Sequence, residues 1–195
     1  MSRTRRLKLA YATLSVLVVG GVAALGLTVG AWPALIAFVL LMLLPGRVQG
    51  YFYRDFFRGR RLFAQGRFAD AIPHFERFLA DVRARPWLKR LLWLQLGIYT
   101  TDVEVMTLNN LGGAHVQLGE LDAGERYLEE ALRMDPRYAM AFYNLSMIAA
   151  LRGDTAGAER LAGEAERLGF TGGGVDRILA WAGERLVQVE GHGAG

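Results

Sequence analysis

The chain has 195 residues, 22% of them charged and 52% hydrophobic, with a formal net charge of +4 and no cysteine. That length holds one or two small domains, and the missing cysteine excludes disulfides, thiol nucleophiles and thiolate metal sites. Residues 1–61 carry nine Arg or Lys against a single Asp, whereas residues 62–195 carry fourteen basic and eighteen acidic side chains. The positive excess therefore does not form the basic patch on a folded domain that a nucleic-acid partner requires.

Residues 1–8 read as a basic tail (Arg3, Arg5, Arg6, Lys8). From Leu9 to Gly46 no charged side chain occurs. As helix this run would extend roughly 57 Å, close to twice a hydrocarbon core of about 30 Å. Gly30 to Pro33 (GAWP) interrupts it, so the pattern predicts a two-helix transmembrane hairpin over 9–46, with helices at about 9–29 and 32–44. Arginines flank both outer ends, and the positive-inside rule then places both ends in the cytoplasm. The expected location is a membrane, crossed twice, with the Arg-, Ala- and Gly-rich composition suggesting a bacterial inner membrane. A secretory signal is the competing reading of MSRTRRLK and its apolar run, although a signal's apolar core is usually shorter.

Residues 47–61 interleave aromatics with arginines. Tyr51, Phe52, Tyr53, Arg54, Phe56 and Phe57 suit a membrane interface, where rings favour the headgroup level and arginines reach outward to phosphates. The alternative is the opening helix of the folded part, with these rings as core.

Beyond this segment the chain repeats. Residues 105–136 laid on 139–170 give nine identities in 32 pairs, among them Asn110/Asn144, Leu111/Leu145, Gly119/Gly153 and Ala131/Ala165; composition alone would give about two. The offset is 34 residues. Leu108, Leu111, Gly112 and His115, then Gly124, Leu128, Ala131 and Pro136, occupy the spacing of a known signature, W-x2-L-G-x2-Y, A-x3-F and P. The chain thus resembles the tetratricopeptide repeat family. The Trp, Tyr, first Ala and Phe of that pattern are replaced.

Each unit reads as a helical hairpin. Gly119 ends the first helix, small residues at Gly112, Gly124 and Ala131 let the two helices approach, and Pro136 closes the unit at the first turn of the next helix. Units are expected over 105–138 and 139–172, with a degenerate one over 52–85 in which Gly66 takes the turn and Pro73 the first turn of the second helix. Residues 86–104 are an insertion, an apolar helix at about 87–96 followed by a loop ending at Thr101/Asp102, which caps the next helix. Its apolar surface could face the core, a membrane or a partner. Residues 173–190 carry an apolar stripe, Val175, Ile178, Leu179, Ala182, Leu186 and Val189, of the kind that covers the open end of a stack; 191–195 read as a disordered tail.

The expected fold is therefore all-α: a transmembrane hairpin, then a short helical repeat array with a C-terminal capping helix. No catalytic or phosphate-loop motif occurs, so neither enzyme activity nor a cofactor or metal is expected. His115 in the pattern's tyrosine position reads as a packed, hydrogen-bonded core histidine. The family resemblance implies that the first helices of successive units line a concave groove, and that asparagine at the place of Asn110 and Asn144 bonds the backbone of a bound peptide. In the same register the groove would hold Asn109, Gly113, Gln117, Tyr143, Met147 and Leu151. The competing role for Asn110 and Asn144 is to tie adjacent units together. The function expected is a membrane-anchored adaptor or assembly scaffold for an unidentified protein or peptide, with phospholipid as a second contact. A structural membrane component that self-associates through the hairpin, forming a homo-oligomer, is the alternative.

Overall fold

The computed structural model describes residues 51–89 and 102–192, together with isolated positions before residue 51. The chain divides into two compact units, residues 1–54 with 91–98 and residues 55–90 with 99–195. The second unit is a series of antiparallel helical hairpins, and no strand occurs among the described residues.

Helices α1 (Arg54–Ala64) and α2 (Phe68–Ala84) form the first hairpin, α3 (Val103–Leu118) and α4 (Leu121–Met134) the second, α5 (Ala139–Leu151) and α6 (Thr155–Arg167) the third; α7 (Val175–His192) follows. The three hairpins turn in the same way. At each, a glycine adopts φ of +74° to +80° (Gly66, Gly119, Gly153), a left-handed conformation that costs glycine little. Its N–H bonds a carbonyl three residues back (Phe63, Val116, Ala150), and the next residue's N–H reaches five back, Arg67 to Leu62, Glu120 to His115 and Asp154 to Ala149, at 2.9–3.0 Å. This helix-terminating arrangement satisfies carbonyls that the helix end would leave unbonded. Asp102 caps α3 by accepting from the Glu104 N–H at 2.8 Å, and Asp154 caps α6 by accepting from Gly157 at 2.8 Å.

The core runs between the two helices of each hairpin. Phe56 of α1 lies 5.2 Å from the Phe78 ring and 6.3 Å from Phe75 of α2, all three buried, and the same hairpin needs Gly59 against the Phe75 ring. Between α3 and α4, Gly112 faces Leu128 and the Gly124 carbonyl. α3 packs on α2, α4 and α5, and eleven of its sixteen residues are buried. The third hairpin is held differently, by alanines at 139, 141, 150, 158, 162 and 165 around Met147 and Ile148. α7 lies on α5 and α6 and buries Ile178 and Ala182.

The two prolines sit elsewhere than their sequence context suggests. Pro136 lies in the turn before α5, ahead of Tyr138, and Pro73 is the sixth residue of α2. Residues 86–89 form a short 3-10 turn that buries Leu88 and exposes Trp87; the rest of the expected inserted helix lies outside the described residues. The ends of that insertion are joined by charge. Lys89 Nζ reaches Asp102 at 3.3 Å and Glu104 Oε2 at 2.5 Å, while Arg83 Nε donates to Glu104 Oε1 at 2.8 Å and its Nη2 bonds Glu130.

The expectation of a protein crossing a membrane twice is corrected here. Among the described residues no helix is long and apolar enough to cross a membrane. The repeat helices have 11 to 17 residues, and α7, at 18, carries Asp176, Arg177, Glu184, Arg185 and Glu190 along its length, charges that the bilayer core disfavours. The run over 9–46 on which the hairpin was placed lies almost wholly outside the described residues, as do residues 193–195 of the expected tail.

Candidate functional site

The first helices of successive hairpins, α3 and α5, stand side by side, because each hairpin turns through the same glycine. Together with Phe63 of α1 and residues of α7 they enclose an open groove of about 380 Å3. Its polar lining comes from Asn109, Asn110, Gln117 and Asn144, and its apolar lining from Met140, Tyr143, Met147, Phe170 and Trp181. Tyr143 and Phe170 meet with ring centroids 4.4 Å apart at one margin.

Of the eight residues expected in the groove, Asn109, Asn110, Gln117, Tyr143, Asn144 and Met147 line it. Gly113 is buried and is not among the lining residues, although a Cβ there would stand 3.5 Å from two that are, at Asn144 Nδ2 and the Phe63 ring. Leu151 is half-buried at the end of α5 and is not among the lining residues. Asn144 Nδ2 donates to Asn109 Oδ1 at 2.9 Å, and Asn109 is only 3% exposed. This bond spans 35 residues and ties α3 to α5, so one asparagine of the pair identified by repeat register holds adjacent hairpins together. Asn110 remains half-exposed in the groove.

Sequence reasoning missed Phe63, Met140, Phe170, Arg177, Ile178 and Trp181. Met140 carried a signal, since it repeats Met106 at the 34-residue offset. Arg177 and Trp181 lie four residues apart, one helical turn beside the apolar stripe of α7, but nothing in the pattern said which wall that helix would form.

The aromatic segment before the repeats divides by burial. Tyr53 and Phe56 are each 1% exposed, Phe52 and Phe57 are half-buried, and Tyr51 and Arg54 are exposed, with the Arg54 guanidinium 6.0 Å from the Tyr51 ring centroid. His115 stacks on Tyr127 at 5.4 Å and its Nδ1 lies 2.5 Å from Glu120 Oε2. His74 Nδ1 lies 2.7 Å from Asp55 Oδ1 between α1 and α2. Neither histidine belongs to a metal-binding cluster among the described residues. A second hollow, over α4, is lined by Arg126, Tyr127, Glu129, Glu130 and Arg133 of that helix.

Hairpins of one geometry, stacked with a groove along their first helices, define an α-helical repeat array. Residues 58–97 and 109–169 match the tetratricopeptide repeat family, just over half of the chain, and the protein belongs to that family. No curated protein matches its sequence. Arrays of this family serve as scaffolds for protein–protein interaction.

Proposed function

We propose that the protein is a non-catalytic adaptor whose groove between α3, α5 and α7 binds an extended peptide segment of another protein. The observation that supports this reading most directly is the convergence of Asn110, Gln117, Tyr143 and Met147 on one open groove. Amides there can exchange hydrogen bonds with a peptide backbone, while Tyr143 and the methionine side chains offer adaptable apolar contact.

The test is photo-crosslinking in cells of the source species, with a benzophenone amino acid placed at Asn110 or Tyr143 and, as control, at Glu129 on the outer face of α4. The expected result is a distinct foreign protein captured from the groove positions, through a segment of ten residues or fewer mapped by mass spectrometry. Capture of the same partners from Glu129, or of this chain alone, would sink the proposal.

A further inference from the structure

Building on the groove reading, we infer that α7 sets its specificity, and that the bound segment carries a carboxylate beside a bulky apolar side chain. Arg177 is the single charged residue among those lining the groove. Its Nη1 donates to the Gly172 carbonyl at 3.1 Å, which fixes the guanidinium while leaving most of its N–H donors open. No acidic side chain pairs with it among the described residues, as none pairs with Arg185 on the same helix, whereas Arg67, Arg77, Arg83, Arg85, Arg152 and Arg167 all have carboxylate partners. The other polar lining groups are neutral amides, so the groove holds one unmatched positive charge. A planar guanidinium in that position favours a carboxylate, which it can meet with two parallel hydrogen bonds.

The neighbouring lining residue fixes the rest of the preference. Trp181 is one turn along the same face of α7 from Arg177, and residues four apart on a helix are neighbours. It is held in place by Arg185, whose guanidinium lies 5.7 Å from the Trp181 ring centroid and bonds the carbonyl of Gln117 at the end of α3. The cation and the indole therefore both line the groove, together with Tyr143 and Met147. An acidic residue placed within two positions of Phe, Trp or Leu in an extended segment reaches both.

The experiment is selection of a phage-displayed library of unstructured twelve-residue peptides on the full-length protein, followed by titration of one synthetic winner and its Asp→Asn or Glu→Gln twin. The expected winners contain an acidic residue next to a bulky apolar one. Neutralising that acid should weaken binding about tenfold, the order of one charge-assisted hydrogen-bonded contact; the difference should vanish in Arg177→Ala and largely persist in Arg177→Lys. Trp181→Ala should weaken the acidic peptide and its twin alike. Winners that lack acids, yet are lost in Tyr143→Ala, would overturn this inference and leave the groove reading standing. No winners, or winners indifferent to both Asn110→Ala and Tyr143→Ala, would overturn the two together. Circular dichroism of each variant separates lost contact from lost fold.

Discussion

A single carbon added at Gly112 would stand 2.5 Å from Leu128 Cγ and 3.0 Å from the Gly124 carbonyl, closer than packed atoms tolerate. Gly112→Ala is therefore expected to destabilise the chain by about 1–3 kcal/mol through overpacking, measured as a lower urea midpoint. Gly163, on the exposed face of α6, meets nothing within 4 Å, and Gly163→Ala should raise the midpoint, worth about 0.5–1 kcal/mol from helix propensity alone. Equal effects from the two substitutions would contradict the packing described here. At Asn144 the loss is of a partner. Asn144→Ala leaves the buried Asn109 amide unbonded, a cost of about 1–3 kcal/mol, while Asn110→Ala should leave stability within about 0.5 kcal/mol of the parent. The sequence showed that an asparagine recurs at 110 and 144. It did not show that the bond would run from 144 to 109, because repeat register identifies equivalent positions, whereas contact across two helices depends on their relative displacement.

Between elements, the charges at the ends of the insertion give the array a pH response. Burial alone would raise the Glu104 carboxyl, but hydrogen bonds from Lys89 and Arg83, with their positive charges, hold it below its ordinary value of 4.5. Asp55 is likewise held below 3.8: burial opposes this, and the bonds from His74 and Arg77 prevail. A lowered carboxyl contributes stability that is present above its unfolded pKa and is lost as pH falls through the folded one. Stability should therefore drop below about pH 4.5, and Glu104→Gln should flatten that drop while costing about 1–3 kcal/mol at pH 7; urea midpoints across pH 3–7 would show it. The turns were the most legible feature at this scale, because positive φ demands glycine and the recurrences at Gly66, Gly119 and Gly153 mark the hairpins directly. The prolines were less so. A proline suits a turn or the first turn of a helix equally well, yet Pro73 stands sixth in α2 and Pro136 precedes α5.

Across the whole array the core changes character along the chain. Phenylalanine and leucine dominate the first two hairpins, while in the third alanines outnumber the larger Met147 and Ile148 and bury less area each. Amide hydrogen exchange should consequently be slowest in α3 and fastest in α6 and α7, fraying from the C-terminal end; uniform protection would mean that the array unfolds as one unit. Truncation after Phe170 removes Ile178 and Ala182 from α5 and α6, and should promote association on size-exclusion chromatography with light scattering, since an uncovered stack end is apolar. The repeat period made the helical array legible from spacing alone. The walls of the groove were legible only where they came from repeated positions, because a terminal helix docks by tertiary fit that no internal copy foreshadows. The expected membrane crossing shows the opposite limit. An uncharged run was read as an element, and no described helix has the length and apolarity to match.

The pairing of Lys89 with Asp102 and Glu104 also makes the array divisible. Residues 89 and 102 stand within ion-pair reach of each other, so the two ends of the interval between the first and second hairpins are held close together. Lengthening a connection between ends held that close costs little, about 0.6 kcal/mol for each doubling. The junction between the first and second hairpins is thus the place where an inserted stretch should disturb the groove least, since every lining residue but Phe63 belongs to later elements.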